Sequence, residues 1–168
     1  TGAVFDAAPV WAADNETIFY TEADETDRSW RVRRHRLGAP ETENDVVYEE
    51  PDARFQVGIE ATKSREFLLI SSASKDTAET LILPLRDGAA EPQVFVPRSD
   101  GRRYSLADCD GHWYILTNED AVNGRLFRTP LDRTARESWE EVIPGDEKIA
   151  YEGIDSFATH VILSARQD

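Results

Sequence analysis

Methionine is missing altogether, cysteine occurs once, and lysine and histidine occur three times each in 168 residues. Each scarcity excludes something. The lone Cys109 cannot form an internal disulfide or build a cysteine-based zinc cluster. Its expected role is a small core residue in a strand, and its solitude fits a reducing compartment, so a cytoplasmic location is expected. Without a methionine at position 1, residue 1 is expected to lie inside a longer natural sequence, making the chain a fragment. No apolar run approaches the ~20 residues of a membrane span, and no charged-then-apolar leader is visible. No Gly-x-Ser-x-Gly elbow, phosphate loop or metal-ligand cluster occurs. Accordingly no catalytic, cofactor-binding or metal-binding residues are expected, and no cofactor.

Acid is what the chain has in excess. The formal net charge is −14, with 33 Asp and Glu against 19 Lys and Arg. Nucleic acid and anionic lipid are poor partners for such a surface, because phosphate binding needs clustered cations. The acids come in runs: Asp24, Glu25 and Asp27; Glu41, Glu43 and Asp45; Glu49, Glu50 and Asp52; Glu137, Glu140 and Glu141. Such a field favours cationic ligands, although solubility alone also explains it. With 40% hydrophobic residues, a folded core is expected rather than disorder.

The chain repeats itself. A polar turn leads into an apolar strand four times, with first strand residues Ile18, Phe67, Trp113 and Val161, spaced 49, 46 and 48 residues apart. Phe55, Tyr104 and Tyr151 keep the same beat at 49 and 47, and Pro51, Pro97 and Pro144 at 46 and 47. Several short strands per unit at a period of ~40–50 residues are the signature of β-propeller blades. The expected class is all-β, a partial propeller of about three four-stranded antiparallel blades and the inner part of another. The repeat units fall at about 1–51, 52–98, 99–145 and 146–168.

The second unit displays the blade anatomy. "RFQVGIEAT" from Arg54 alternates Phe55, Val57 and Ile59 with Gln56, Gly58 and Glu60, giving a strand with one buried face. "FLLISS" from Phe67 suits a strand covered on both faces. "TLILPL" from Thr80 carries Pro84, which fits a strand end or an outer position, and "PQVFVP" from Pro92 reads as the outermost strand. The third unit repeats this with "RYSLADC", "WYILTN", "RLFRTPL" and "WEEVIP". The first unit opens on an incomplete "AVFDAAPVW" from Ala3, and the fourth stops after "AYEGIDSF" and "VILSAR". Because the first and last blades lack neighbours, Ile18 and Tyr20 at one end and Val161 and Leu163 at the other are expected to expose apolar faces. Two fragments could cover each other there as a homodimer.

"DGHWYILTNED" from Asp110 mimics a catalytic constellation. The repeat instead puts Asp110-Gly111-His112 in the turn that other units fill with unrelated residues, and makes Asn123-Gly124 the next hairpin turn. His112 is therefore read as a turn residue. His35 lies in the arginine-rich strand "WRVRRHRL" and is read as a packing or solvated residue. In that strand Arg31, Arg33 and His35 point opposite to Arg34 and Arg36, which favours cross-strand ion pairs over a nucleic-acid surface.

"WAADNETIFYTEADETDRSWRVRRHRLG", "VVYEEPDARFQVGIEATKSREFLLISSAS", "EPQVFVPR", "YSLADCDGHWYILTN" and "WEEVIPGDEKIAYEGID" closely resemble the propeller of the oligopeptidase B (protease II) branch of the prolyl oligopeptidase family of serine peptidases. The resemblance covers nearly the whole chain and is most specific in "WRVRRHRLG" and "VYEEPDARFQV". It implies a seven-bladed propeller capping a catalytic α/β-hydrolase domain elsewhere in a parent chain. That enzyme would be an endopeptidase cleaving short basic oligopeptides after Arg or Lys, with the propeller limiting access. The chain alone would be inactive. The alternative is a stand-alone propeller-like protein-interaction module, since propellers host many functions.

Overall fold

The computed structural model describes residues 8 to 167; the part of the expected first strand at residues 3–7 lies outside them. The strands form four antiparallel sheets in chain order. The first runs β1 (Val10–Trp11), β2 (Thr17–Ala23), β3 (Ser29–Arg36) and β4 (Asp45–Glu49). The second runs β5 (Gln56–Ala61), β6 (Phe67–Ala73), β7 (Ala78–Pro84) and β8 (Gln93–Val94). The third runs β9 (Tyr104–Cys109), β10 (His112–Thr117), β11 (Arg125–Pro130) and β12 (Glu140–Ile143), and the fourth pairs β13 (Ile149–Ser156) with β14 (Val161–Gln167). This is an all-β partial propeller of three four-stranded blades and half of another. The chain groups into two compact units, one holding residues through Lys75 plus Thr80–Val94, the other Asp76–Glu79 plus the chain from Phe95 onward.

The first unit has an aliphatic core. Phe19, Val32 and Val47 of the first sheet pack with Val57, Ile59, Leu68, Ile70, Leu81 and Leu83 of the second, and five of these nine are completely shielded from solvent. Period-two alternation puts Val57 and Ile59 of β5 on this inner face, as the sequence pattern implies. Leu68, Leu69 and Ile70 are buried in succession, because β6 is covered on both sides.

The second unit builds its core from aromatic rings. Phe95 meets Trp113 edge-on, with centroids 5.6 Å apart and planes at 78°, and lies 5.9 Å from Trp139 and 6.4 Å from Tyr104. Phe127 extends the cluster to Trp139 at 5.7 Å. These separations fall in the favourable range for aromatic pairs. The cluster explains why the expected edge strand "PQVFVP" shrinks to Gln93–Val94. Phe95 and Val96 leave the ladder and are buried, with the Tyr104 hydroxyl donating to the Val96 carbonyl at 3.0 Å.

Turn chemistry repeats with the sheets. Asn15, Arg65 and Asp110 hold φ of 56°, 61° and 47° in the β1–β2, β5–β6 and β9–β10 turns. Asp110-Gly111 is a two-residue hairpin, with both residues at positive φ and Cys109 paired to His112. Asn123-Gly124, by contrast, is not a hairpin turn of its own. It closes the longer loop 118–124, in which Gly124 N–H bonds to Ala121 O at 2.8 Å and only Asp120 and Gly124 take positive φ.

A second repeated device ties each β2–β3-type turn to the segment entering the following sheet. Arg28 Nη1 donates to the carbonyls of Glu50, Asp52 and Phe55 at 3.4, 3.2 and 3.0 Å. Thr77 Oγ1 accepts from Gly101 N–H at 2.9 Å. Asn123 Nδ2 donates to the carbonyls of Asp146 and Glu147 at 2.9 and 3.0 Å. The three side chains are 49 and 46 residues apart, on the period of the repeat.

The end faces differ from the apolar surfaces expected of them. Tyr20 is only 9% exposed and Ile18 is half-buried. Their cross-strand partners are Arg33 and His35, and a ladder of charge runs beside them: Glu22 to Arg31 and Arg33, and Arg31 to Glu49. At the other end Val161 and Leu163 are half-buried, whereas the alternate residue Ile162 is 48% exposed. The exposed large apolar groups of the first and fourth sheets and their flanking loops are instead, among the described residues, Trp11, Leu37, Val46, Phe157 and Ile162.

Candidate functional site

The three histidines are each engaged locally. His35 Nδ1 lies 2.6 Å from Asn44 Oδ1, and the Asn44 amide donates to the Tyr20 hydroxyl. His112 Nδ1 sits 2.9 Å from the Asp110 carbonyl, within its hairpin. His160 stacks on Phe157 at 4.9 Å with planes 9° apart. Cys109 is buried, its sulfur 3.3 Å from the Phe157 carbonyl, and burial pushes its thiol pKa up, with Asp110 and Asp108 adding to the shift. Among the described residues no group of three or more His, Cys, Asp and Glu is placed to hold a metal ion, and no helix is long and apolar enough to cross a membrane.

Most of the acidic runs are spent on local structure. Asp24 accepts from the Thr26 hydroxyl, the Arg28 side chain and the Thr26 N–H, and these bonds hold its carboxyl far below the usual range. Glu50 is 2% exposed and accepts from the Tyr48 hydroxyl, the Ser72 hydroxyl and the Asp52 N–H. Glu140 and Glu141 pair across the β11–β12 ladder with Arg128 and Arg125. The arginine strand behaves as its alternation implies, with Arg34 on Asp45 and Arg36 on Glu16.

Acid also surrounds open space: in the first unit Asp14, Glu16, Glu43, Asp45 and Asp87 line a depression, but Arg34, Arg36 and Arg86 share it. A depression of about 440 Å³ in the second unit is lined by Asp120, Glu141, Asp146 and Glu147, with Arg125 as its one basic lining residue. Arg125 is already paired, its Nε donating to Glu141 at 2.8 Å. Close backbone approach shapes the floor. A Cβ on Gly145 would stand 2.6 Å from Ala121 Cβ, and one on Gly124 would meet the Tyr151 carbonyl at 3.2 Å. Glycine at both positions lets the connector 144–148 press against the loop 118–124, where Asn123 ties the two together. A second depression, of about 380 Å³, shares Val122 and Asn123 and has a mixed lining, with Tyr104, Leu116 and Tyr151 beside Arg103, Asn118 and Glu152. An acid-lined concavity raises the local concentration of cationic groups. Of the lining acids, only Glu141 belongs to a run conspicuous in the sequence. Asp120 lies in one loop and the adjacent Asp146 and Glu147 in another, and the local clue to them is the pair of glycines that brings the loops together.

A family model described as the prolyl oligopeptidase N-terminal β-propeller domain matches residues 3–168. The chain is 33% identical over 162 residues to dipeptidyl aminopeptidase BI of Pseudoxanthomonas mexicana, covering 94% of this chain and 22% of that protein. It is 29% identical over 158 residues to protease 2 of Moraxella lacunata, covering 94% of this chain and 23% of that one. Oligopeptidase B from Leishmania major superposes with a TM-score of 0.88 at 30% identity, over 97% of this chain and 23% of its own. Oligopeptidase B from Trypanosoma brucei, in a closed form with covalently bound antipain, gives 0.87 at 30% identity, over 98% and 24%. The chain thus spans less than a quarter of the length of each of these proteins.

Proposed function

The chain belongs to the prolyl oligopeptidase family, as part of its N-terminal β-propeller domain, and on that premise we propose that it is the substrate-access portion of an oligopeptidase B-like serine endopeptidase. In this reading a catalytic α/β-hydrolase domain of the parent chain does the chemistry, cleaving short peptides after Arg or Lys. The propeller segment admits and steers them. The chain itself is catalytically inert. The observation that carries the steering role is the acid-lined depression beside Tyr104 and Tyr151, in a chain of net charge −14. Carboxylates around a concavity raise the local concentration of cationic peptides and speed their encounter, an effect that salt suppresses.

The test uses the full-length enzyme carrying this segment. Asp120→Asn, Asp146→Asn and Glu147→Gln together remove three charges while keeping shape, and Asn tolerates the positive φ of 51° at position 120. At low salt the triple variant should lower kcat/KM for an Arg-ended peptide several-fold while sparing kcat, and the gap should close at high salt. An unchanged kcat/KM at low salt refutes steering by these residues.

Self-association of the isolated chain is a second reading, favoured by the two-stranded fourth sheet, whose β14 carries the exposed Ile162. Large apolar groups at such an end seek cover. Sedimentation velocity across a concentration series should show a dimer forming. One species at the mass of a single chain throughout rejects it.

A further inference from the structure

Asn123 is followed by glycine, and none of the other asparagines (Asn15, Asn44 and Asn118) is. The pairing has a chemical consequence. The backbone nitrogen of the following residue can attack the asparagine side-chain carbonyl carbon, expelling ammonia and closing a succinimide. Water then opens that ring to aspartate or to isoaspartate. Glycine, lacking a Cβ, offers the least obstruction to the attack.

We propose that Asn123 is a deamidation site, protected while the connector 144–148 is docked on the loop 118–124 and exposed when the two separate. Both groups needed for ring closure are occupied in the docked state. The attacking nitrogen, that of Gly124, donates its proton to the Ala121 carbonyl at 2.8 Å. The leaving amide donates to the carbonyls of Asp146 and Glu147 at 2.9 and 3.0 Å. The backbone on either side is pinned as well. The Asn123 carbonyl accepts from Tyr151 N–H at 2.8 Å, and Gly124 is buried against Tyr151. Reaching the geometry for attack requires releasing these bonds, which means lifting the connector and the start of β13 from the loop.

The product cannot restore what the reaction removed. A carboxylate at position 123 has no proton to donate, so it would turn acceptor oxygens toward two carbonyl oxygens. It would also add a charge to a depression already lined by Asp120, Asp146 and Glu147. Isoaspartate adds a methylene to the main chain between the bond to Tyr151 and the left-handed Gly124 at φ 87°, where the spacing is fixed by the neighbouring strand. Each opening of the seam thus risks a covalent change, and each covalent change keeps the seam open. The site records how often the fourth sheet has come away from the third.

Two measurements test this on the intact chain. Peptide mapping by mass spectrometry follows conversion of Asn123 at one fixed pH, in buffer and in unfolding urea. The need to release four hydrogen bonds should slow conversion in buffer by at least roughly thirtyfold relative to urea. Equal rates in the two conditions overturn the protection. The second measurement is hydrogen exchange on the deamidated fraction, separated by anion exchange, and on Asn123→Asp. Both should exchange faster than the unmodified chain in residues 149–156 and 161–167, with residues 56–84 unchanged. Identical exchange in β13 and β14 overturns the consequence, and the kinetic comparison needs no variant to fold.

Discussion

Arg28 is the strongest of the three side chains that tie a turn to the segment entering the next sheet, and its removal should be the most damaging. Its side chain is 14% exposed, and its Nη1 reaches three carbonyls at 3.0 to 3.4 Å. Two of those carbonyls belong to the buried residues Glu50 and Phe55. Arg28→Met keeps the aliphatic stem and deletes every donor. Each lost bond is worth about 1 kcal/mol net, so the expected loss from the three carbonyl contacts is about 2–4 kcal/mol; the ion pair to Asp24 is left out of that sum. For a chain of this size such a loss lowers Tm by roughly 5–15 °C. Arg28→Lys should recover less than half of it, because one ammonium cannot replace the planar donor set. Arg36→Met is the control: its pair with Glu16 is 72% and 55% exposed, and its melting curve should overlay the wild type. Circular dichroism melts of the four proteins decide. An Arg28→Met chain melting within about 2 °C of wild type refutes the idea that this side chain holds the turn to the segment entering the second sheet.

Gly88→Ala should cost about 1–3 kcal/mol by urea titration, because its Cβ would stand 2.7 Å from both Asp14 Oδ2 and Thr17 Oγ1; an unchanged midpoint contradicts this. Asp14 accepts from Glu16 N–H, the Thr17 hydroxyl and Thr17 N–H, which depress its pKa. Its folded pKa lies below the unfolded one, so its contribution is present above the usual carboxylate range and lost as pH falls through the depressed value. Asp14→Asn should therefore melt below wild type at neutral pH, with the gap closing in acid; a gap independent of pH contradicts the assignment. Cys109, its pKa raised by burial, should resist a thiol-specific chromogenic reagent at neutral pH until the chain is denatured, and equal rates with and without denaturant would show the sulfur to be accessible.

The blade pattern was legible because period-two alternation and turn residues are local signals. β6 and β10 begin at or next to Phe67 and Trp113, which carry the repeat, and Asp110-Gly111 forms the hairpin its dipeptide implies. Two local readings failed where longer-range packing won. Phe95 was drawn from an edge strand into the aromatic cluster, and Asn123 from a hairpin turn into a tie with residues 146 and 147. The apolar ends also misled, since one residue's worth of alternation decides whether Leu163 or Ile162 faces outward, and charged neighbours on β3 screen Ile18 and Tyr20. The acid-lined depression was not legible at all. The conspicuous runs are largely consumed by capping and pairing, as with Asp24 and Glu50, while the lining acids come together only through the approach of two loops at Gly124 and Gly145.

The most direct test of a substrate-steering propeller segment is fluorescence anisotropy of labelled peptides mixed with the purified chain, with mass spectrometry of the peptides afterwards. A short Arg-containing peptide should associate at low salt more tightly than a Glu-containing peptide of equal length, lose that advantage at high salt, and be recovered intact. Equal association of the two peptides, or cleavage blocked by a serine-reactive inhibitor, would contradict it.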